Sequence, residues 1–263
     1  MLNEETEAAA RPELKGVSRE IVWRSFFLET LWNYDGLQNV GFVLCMYPVL
    51  KRFYPAPSEL KSAASRHQEQ VNTHPAMSTL LVGMTARLER DVGPAAVMAY
   101  RKRIMAALAA HGDRIFWSHV KPLAAVLGVL VALGFAWSAV GSVVTMVVYN
   151  APNLYARMSG FSRGWTEGFD VLGSFRSPRM DCGLHGLRRL LSLGLGLTAG
   201  LLVSEAVSRV DSVPTVVAGG ILVVTFGIGL SLLRKKAAVT AVVYALAVAA
   251  AGLFCALEAG VRF

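Results

Sequence analysis

The chain has 263 residues, of which 54% are hydrophobic, and its formal net charge is +8. This apolar content exceeds that of an ordinary water-soluble domain. The Lys and Arg residues flank apolar segments instead of forming one patch mixed with aromatic residues, so membrane topology explains the charge better than nucleic-acid binding does. We therefore predict an integral membrane protein without a nucleic-acid partner.

The chain begins with a polar, acidic stretch, residues 1–16, which has few apolar anchors and no basic leader or apolar core of a secretory signal. We expect it to be a mobile cytoplasmic tail. The next residues place Val22, Phe26, Glu29 and Asn33 on one helical stripe. This pattern predicts an amphipathic helix lying at the membrane interface.

Two uncharged stretches follow, 36–50 and 70–86, each too short to span a bilayer comfortably and interrupted by Pro48 or Pro75. They predict re-entrant or half-buried helical hairpins. Non-helical backbone survives at membrane depth only where protein or a water-filled cavity covers it, so such hairpins would mark a site.

A polar group of residues, His111, Gly112 and Asp113, lies between the apolar residues 104–110 and the segment 114–122. This arrangement predicts a helical hairpin with a charged tip. A charged residue between apolar arms is usually retained for function.

The back half contains long runs without charge, at 122–156, 213–233 and 237–257, and a shorter one at 190–204. About 20 apolar residues cross a hydrocarbon core, so we expect three to four transmembrane helices. Gly196 and Gly200 have the spacing of close helix packing. The predicted fold class is an all-α integral membrane protein, divided into a tail (1–16), an amphipathic and re-entrant region (17–122) and a transmembrane region (123–263).

Positive charge in the back half is concentrated in two segments. Residues 157–189 hold six arginines against three acidic residues, and residues 234–236 are all basic. The positive-inside rule places both segments in the cytoplasm. A cytoplasmic N-terminus then requires an extra crossing before Pro122, or more than one crossing within 122–156, and the sequence leaves both open.

Four local motifs occur in order along the front half and together carry a family resemblance. They are SFFLETLWNYDGLQNVGF (25–42), YPVLKRFY (47–54), RHQEQVNTHP (66–75) and GDRIFWSHVKP (112–122). The chain resembles the enzyme IID component of the mannose/fructose/sorbose family of bacterial sugar phosphotransferase systems. Weaker similarity continues through residues 149–172 and the closing apolar pair.

The resemblance implies a multi-pass subunit of the bacterial plasma (inner) membrane that pairs with enzyme IIC in a higher-order hetero-oligomer and translocates a hexose. Cytoplasmic IIA and IIB proteins would phosphorylate the sugar on their own histidines, so this subunit would be no enzyme and would need no cofactor. His111, Arg114 and Asp35 depart from the family pattern. These departures motivate the alternative of a non-transporting interaction or regulatory subunit from the same family.

Seven residues in the motifs are candidates for sugar binding: Trp32, Asn33, Gln38, Asn72, His74, Asp113 and Trp117. An indole stacks on the C–H face of a pyranose, while amides and a carboxylate bind its hydroxyls. The alternatives are an interfacial aromatic belt with capping amides for the first three, local caps around Pro75 for Asn72 and His74, and a helix cap for Asp113. The histidines show no HxxxH pair, so we predict neither a metal site nor a catalytic one.

Overall fold

The computed structural model describes residues 16–135 and 138–208; the first 15 residues and the predicted spans 213–233 and 237–257 lie outside the described residues. The described part is helical, with isolated bridges from Leu37 to Asn33 and Val71, so the all-α class is confirmed there. The helices are α1 (Val17–Ser25), α2 (Asn39–Phe53), α3 (Pro57–Arg66), α4 (Ser78–Asp91), α5 (Pro94–Gly112), α6 (Lys121–Phe135), α7 (Ser138–Glu167), α8 (Asp170–Phe175) and α9 (Pro178–Ser208). A 3-10 turn (Pro75–Met77) precedes α4, and a π-helix (Asp113–Val120) joins α5 to α6.

Helix α1 is shorter than the amphipathic helix expected from the sequence and buries a different stripe, formed by Val17, Ile21 and Ser25. The predicted stripe through Val22 and Asn33 is wrong, because the chain turns after Ser25. The guanidinium of Arg157 donates a 2.6 Å hydrogen bond to the Ser25 carbonyl. A cation at the C-terminus of a helix satisfies its free carbonyl and complements its dipole, which stabilises the end of α1 at this residue.

The interruption expected at Pro48 is also wrong, because α2 runs through this proline. A proline inside a helix removes the hydrogen bond to the carbonyl four residues earlier, here that of Leu44. Arg24 on α1 donates to the Leu44 carbonyl at 3.2 Å and replaces the missing bond. Pro75 opens the 3-10 turn that leads into α4, the helix-start position that suits proline.

No helical hairpin forms at Gly112 and Asp113, contrary to the sequence-based expectation. The backbone of Asp113 is helical, and the chain continues through the π-helix into α6. Within the described residues one helix, Ala96–Gly134, is long and apolar enough to cross a membrane by length and composition.

The uncharged run 122–156 belongs to two helices, since α6 ends at Phe135 and α7 begins at Ser138. Gly128 lies directly against the Gly141 carbonyl and the Thr145 side chain, so there is no room for a Cβ atom at residue 128. The two helices therefore pack closely alongside each other.

The described residues form two compact units. One comprises 16–118 and 149–184, and its core includes Phe42, Leu81 and Leu108. The other comprises 119–135, 138–148 and 185–208, and its core is Leu123, Val126 and Leu191 with four partly buried leucines around them.

Helices α4 and α7 cross closely inside the first unit through three glycines that the sequence analysis did not single out. Gly83 lies against the Phe161 carbonyl, Gly160 against Thr79, and Gly164 against the backbone of α4. Gly160 and Gly164 have the four-residue spacing that lets helix backbones approach. This crossing holds α4 in place, and α4 follows directly after the segment that carries the predicted site residues Asn72 and His74.

Candidate functional site

The segment DRIFWSHV, the centre of the fourth motif, is a π-helix of eight residues, Asp113–Val120. Phe116 is buried in it and Trp117 is about half exposed. π-helices are rare and often coincide with functional sites, because the wider turn re-aims side chains. Sequence periodicity does not distinguish a π-helix from an α-helix, so the sequence analysis missed this feature.

The π-helix packs against His74, which belongs to the third motif. The imidazole is stacked on Phe116, with 4.8 Å between ring centroids and 16° between ring planes, and it meets Trp117 edge-on at 5.8 Å. Gly112 lies directly against the His74 Cβ, where any larger residue would overlap. Because it has no side chain, Gly112 therefore allows His74 to pack directly against the helix.

His74 is only 3% exposed and keeps one ring nitrogen without a partner. Its Nδ1 accepts the Ala76 N–H at 3.2 Å, so the neutral ring carries its proton on Nε2. Within the described residues neither this Nε2 nor the Oγ1 of neighbouring Thr73 has a hydrogen-bond partner, although both atoms are buried. Burial, with a smaller effect from Arg157, lowers the pKa of His74 to about 4. The ring is therefore neutral, and its Nε2–H is a donor without an acceptor among the described residues.

Asp113 and Asn72 are both exposed. The Asp113 carboxylate forms no hydrogen bond or ion pair with any of the described residues. The neighbouring Arg114 is paired with Asp181 on α9 at 2.7 Å. Asn72 places its backbone N–H 3.1 Å from the sulfur of Met105 on α5. The side chains of Asp113, on the π-helix that contacts His74, and of Asn72 are therefore exposed to a ligand.

Gln38 and Asn33 have their amides engaged within the protein. Gln38 is 5% exposed, and its Nε2 donates to Glu29 at 2.6 Å and to the Thr73 carbonyl at 2.8 Å. Its Oε1 accepts the Thr73 N–H at 2.8 Å. Asn33 bonds to Asn39 and caps the Gly36 N–H. Gln38 therefore clamps the segment that precedes His74.

Trp32 is half exposed and makes an edge contact with Tyr34, at 4.9 Å between ring centroids. The structure thus brings His74 and Trp117 into contact, with Asp113 on the same π-helix as Trp117. Trp32 and Asn33 lie on the turn after α1, and Gln38 connects this turn to the His74 segment through Thr73.

The sequence analysis missed several buried charged groups, among them Arg157 and Glu89. Arg157 donates to Ser25 and Asn153, and its guanidinium lies 5.1 Å from the Phe26 ring centroid. Both residues follow long apolar stretches, which is the sequence signal that could have drawn attention to them. Their partners are distant in the chain, so no local pattern identifies the contacts.

Residues 15–208, more than half of the chain, match the family model described as the PTS system mannose/fructose/sorbose family IID component. The chain belongs to this family. The resemblance carried by the four motifs is therefore confirmed, and the packing of the third motif against the fourth is a contact within a IID component.

The relatives of this IID component are named after different sugars. It is 31% identical over 161 residues to the mannose-specific EIID component of Escherichia coli K12, covering 59% of this chain and 56% of that protein. It is 29% identical over 164 residues to the fructose permease IID component of Bacillus subtilis, covering 60% and 59%. The match thus spans less than two thirds of either relative.

A solved structure, the mannose transporter ManYZ in complex with microcin E492, is similar in fold. The TM-score is 0.54 at 24% identity, with 91% of this chain and 96% of that chain covered. At this identity the likeness concerns the fold.

Proposed function

We propose that this chain is the membrane subunit that, together with an enzyme IIC, binds a hexose and translocates it for phosphorylation by IIA and IIB proteins. The observation that carries the proposal is the contact between two family motifs, in which His74 of the third motif packs against Phe116 and Trp117 of the fourth. Phosphoryl transfer by this subunit is not part of the proposal, since the phosphate would travel on the partner proteins.

The proposed sugar site combines four residues near this contact. Trp117, which is about half exposed, offers its ring to the C–H surface of a pyranose, and Asp113 offers a carboxylate that accepts hydrogen bonds from two hydroxyls. Asn72 is exposed beside α5, and His74 Nε2 is a donor without a partner in the described part of the chain. Trp32 is a further stacking surface, while Asn33 and Gln38 act on the site by holding backbone in place.

The test is phosphoenolpyruvate-dependent uptake of labelled mannose, fructose and glucosamine in the native host, with and without this gene. The panel includes the sugars in the names of the two relatives. We expect uptake of at least one sugar to disappear with the gene and to return with the intact copy. Unchanged uptake of all three would remove these sugars as substrates.

Asp113 is tested within the same system. Asp113→Asn keeps the size and exposure of the side chain, so the protein should reach the membrane in normal amounts while uptake falls about tenfold or more. Normal uptake by this variant would exclude Asp113 from sugar binding without affecting the family assignment. Glu167→Gln, which changes a partly exposed carboxylate paired with Arg163 away from the site, is the control.

The second candidate is a non-transporting interaction or regulatory subunit. It is favoured by His111 and Arg114, which depart from the family pattern and both contact the segment around α8 and α9: His111 stacks on Phe175 at 5.2 Å, and Arg114 pairs with Asp181. Co-purification with an enzyme IIC, together with no heat of sugar binding in calorimetry, would support this candidate over the transporter.

A further inference from the structure

Asp113 and Arg114 are adjacent, yet the arginine pairs with a residue far away in the chain. Arg114 and Asp181 are joined at 2.7 Å, and their side chains are 44% and 47% exposed. The Asp113 carboxylate has no ion pair or hydrogen bond within the described residues. A carboxylate beside an arginine usually attracts it, so the absence of this pair needs a cause.

The distance between neighbours on a helix is not that cause. On α4 of the same protein, Arg90 lies 2.7 Å from the adjacent Asp91. A long arginine side chain thus reaches the carboxylate of its neighbour on a helix, although adjacent positions on a helix do not face each other. Arg114 would be able to reach Asp113 in the same way.

The competing carboxylate of Asp181 accounts for the difference. Asp181 lies in the first turn of α9, and its backbone N–H is bonded to Ser177. A second contact holds the chain just before α9 against α5, because the His111 ring is stacked on Phe175 with 18° between the ring planes. Asp181 is therefore held at the position where it binds Arg114.

We propose that Asp181 is a positioning residue which, by binding Arg114, keeps the Asp113 carboxylate open to a ligand. The ligand is the hexose if the proposed function holds, and the inference rests on it to that extent. A free carboxylate accepts hydrogen bonds from two adjacent hydroxyls, whereas one paired with arginine has lost part of its acceptor capacity. Asp181 would thereby affect sugar affinity without touching the sugar.

The experiment uses Asp181→Asn, Arg114→Ala and the double variant in the full-length chain in its native membrane. Carboxylates are labelled with a water-soluble carbodiimide and glycine ethyl ester, and the labelling rate of Asp113 is measured by mass spectrometry. In Asp181→Asn the released arginine turns to Asp113, and we expect its labelling to slow about twofold to fivefold, the strength of an exposed ion pair. In the double variant no arginine remains, so labelling should return to the wild-type rate.

Rescue by the double variant separates positioning from a structural role. If Asp181 served only to attach α9, removing Arg114 as well would not restore Asp113. An unchanged labelling rate in Asp181→Asn, or a slow rate that persists in the double variant, would overturn the proposal. Asp91, which keeps its arginines in all variants, is the internal reference, and Glu167→Gln is the control for loss of an exposed ion pair of similar accessibility.

Uptake assays on the same variants test the link to the sugar. The KM of Asp181→Asn should rise about twofold to fivefold and return to normal in the double variant, with the maximal rate little changed. If the wild-type chain transports no sugar, the proposed function fails, while the labelling result still decides whether Asp181 controls Asp113. The two failures are therefore distinguishable.

Discussion

The imidazole Nε2 of His67 lies 2.6 Å from Oε1 of Glu89, and neither side chain is exposed to solvent. The same carboxylate accepts from Arg66 at 2.7 Å and from the Tyr54 hydroxyl at 3.1 Å. Arg101, also fully buried, donates to the His67 carbonyl at 3.0 Å. These five residues, which we call the Glu89 network, connect the ends of α2 and α3 to α4 and α5.

The partners of His67 determine where its proton lies. The carboxylate of Glu89 is an acceptor, so Nε2 carries the hydrogen, and Nδ1 faces the Arg101 guanidinium at 3.5 Å as an acceptor. Burial lowers the pKa of His67, and the two arginines lower it further against the opposing effect of Glu89. The ring is thus a neutral link between an anion and a cation.

Replacing Glu89 with Gln should strongly destabilise the protein. The change removes the buried negative charge and leaves Arg66 without its carboxylate partner, and breaking a buried ion pair costs about 3 to 5 kcal/mol. The measurement is the apparent Tm of the detergent-solubilised chain. Glu20→Gln removes an exposed carboxylate paired with Arg24 and should cost less than about 1 kcal/mol. Equal Tm values for the two variants would contradict a stabilising role for the network.

Stability should fall as the pH is lowered from 7.5 to 5.5. The pKa of His67 and of His74 lies below the usual 6.5 in the folded chain, so the unfolded chain binds more protons in this range. The stabilisation is complete above pH 6.5 and is lost as the pH falls below it. For His74 the loss approaches about 1.4 kcal/mol per pH unit between pH 6.5 and its folded-state pKa of about 4.

The lowered pKa of Glu89 also makes stability fall on acidification, but at a lower pH than the histidines do. Burial alone would raise its pKa, but hydrogen bonds from His67 and Arg66 outweigh burial and leave it below 4.5, so its contribution is lost on further acidification.

Because the lowered pKa of His67 contributes to this pH dependence, the Tm of His67→Gln should depend less on pH between 7.5 and 5.5 than that of the wild type. Identical slopes would show that His67 does not titrate in this range.

The sequence predicted the helical class and the family, because each depends on composition or on a motif. It failed where a distant residue decides local structure. Pro48 indicated a break in α2, but Arg24 supplies the lost partner of the Leu44 carbonyl. Asp113 indicated the tip of a hairpin, but Gly112 packs against His74 and the helix continues.

The role of the polar site residues was equally hard to predict from sequence. Gln38 and Asp113 are both polar residues in specific motifs, yet one is buried with its amide fully engaged and the other is exposed without a partner in the described part of the chain. Only the fold decides which polar group is available, since both depend on residues more than 30 positions away. The arginine beside Asp113 is likewise withdrawn by Asp181, which no local pattern reveals.

Gly164→Ala should destabilise the chain, although alanine normally favours a helix over glycine by about 1 kcal/mol. A Cβ at this position would meet the Leu80 carbonyl and the Met84 amide of α4, so the two helices would have to separate. We expect a cost of about 1 to 3 kcal/mol. Gly173→Ala is the control, because nothing lies within 4 Å of its Cβ position. Its Tm should be unchanged or higher, and a matching loss in both variants would mean that the α4–α7 crossing is not the cause.

Gln38→Ala and Asn72→Ala should separate support of the site from contact with the sugar. Without the Gln38 amide, the buried N–H and carbonyl of Thr73 lose their partners, at a cost of about 1 to 3 kcal/mol for each unsatisfied group. The Tm should fall and uptake should fall with it, because the backbone next to His74 is released. Asn72 is exposed, so Asn72→Ala should leave the Tm unchanged while raising the KM for the sugar. A normal Tm in Gln38→Ala combined with a raised KM would instead make Gln38 a sugar ligand, which would require the ligand to displace Thr73 from its amide.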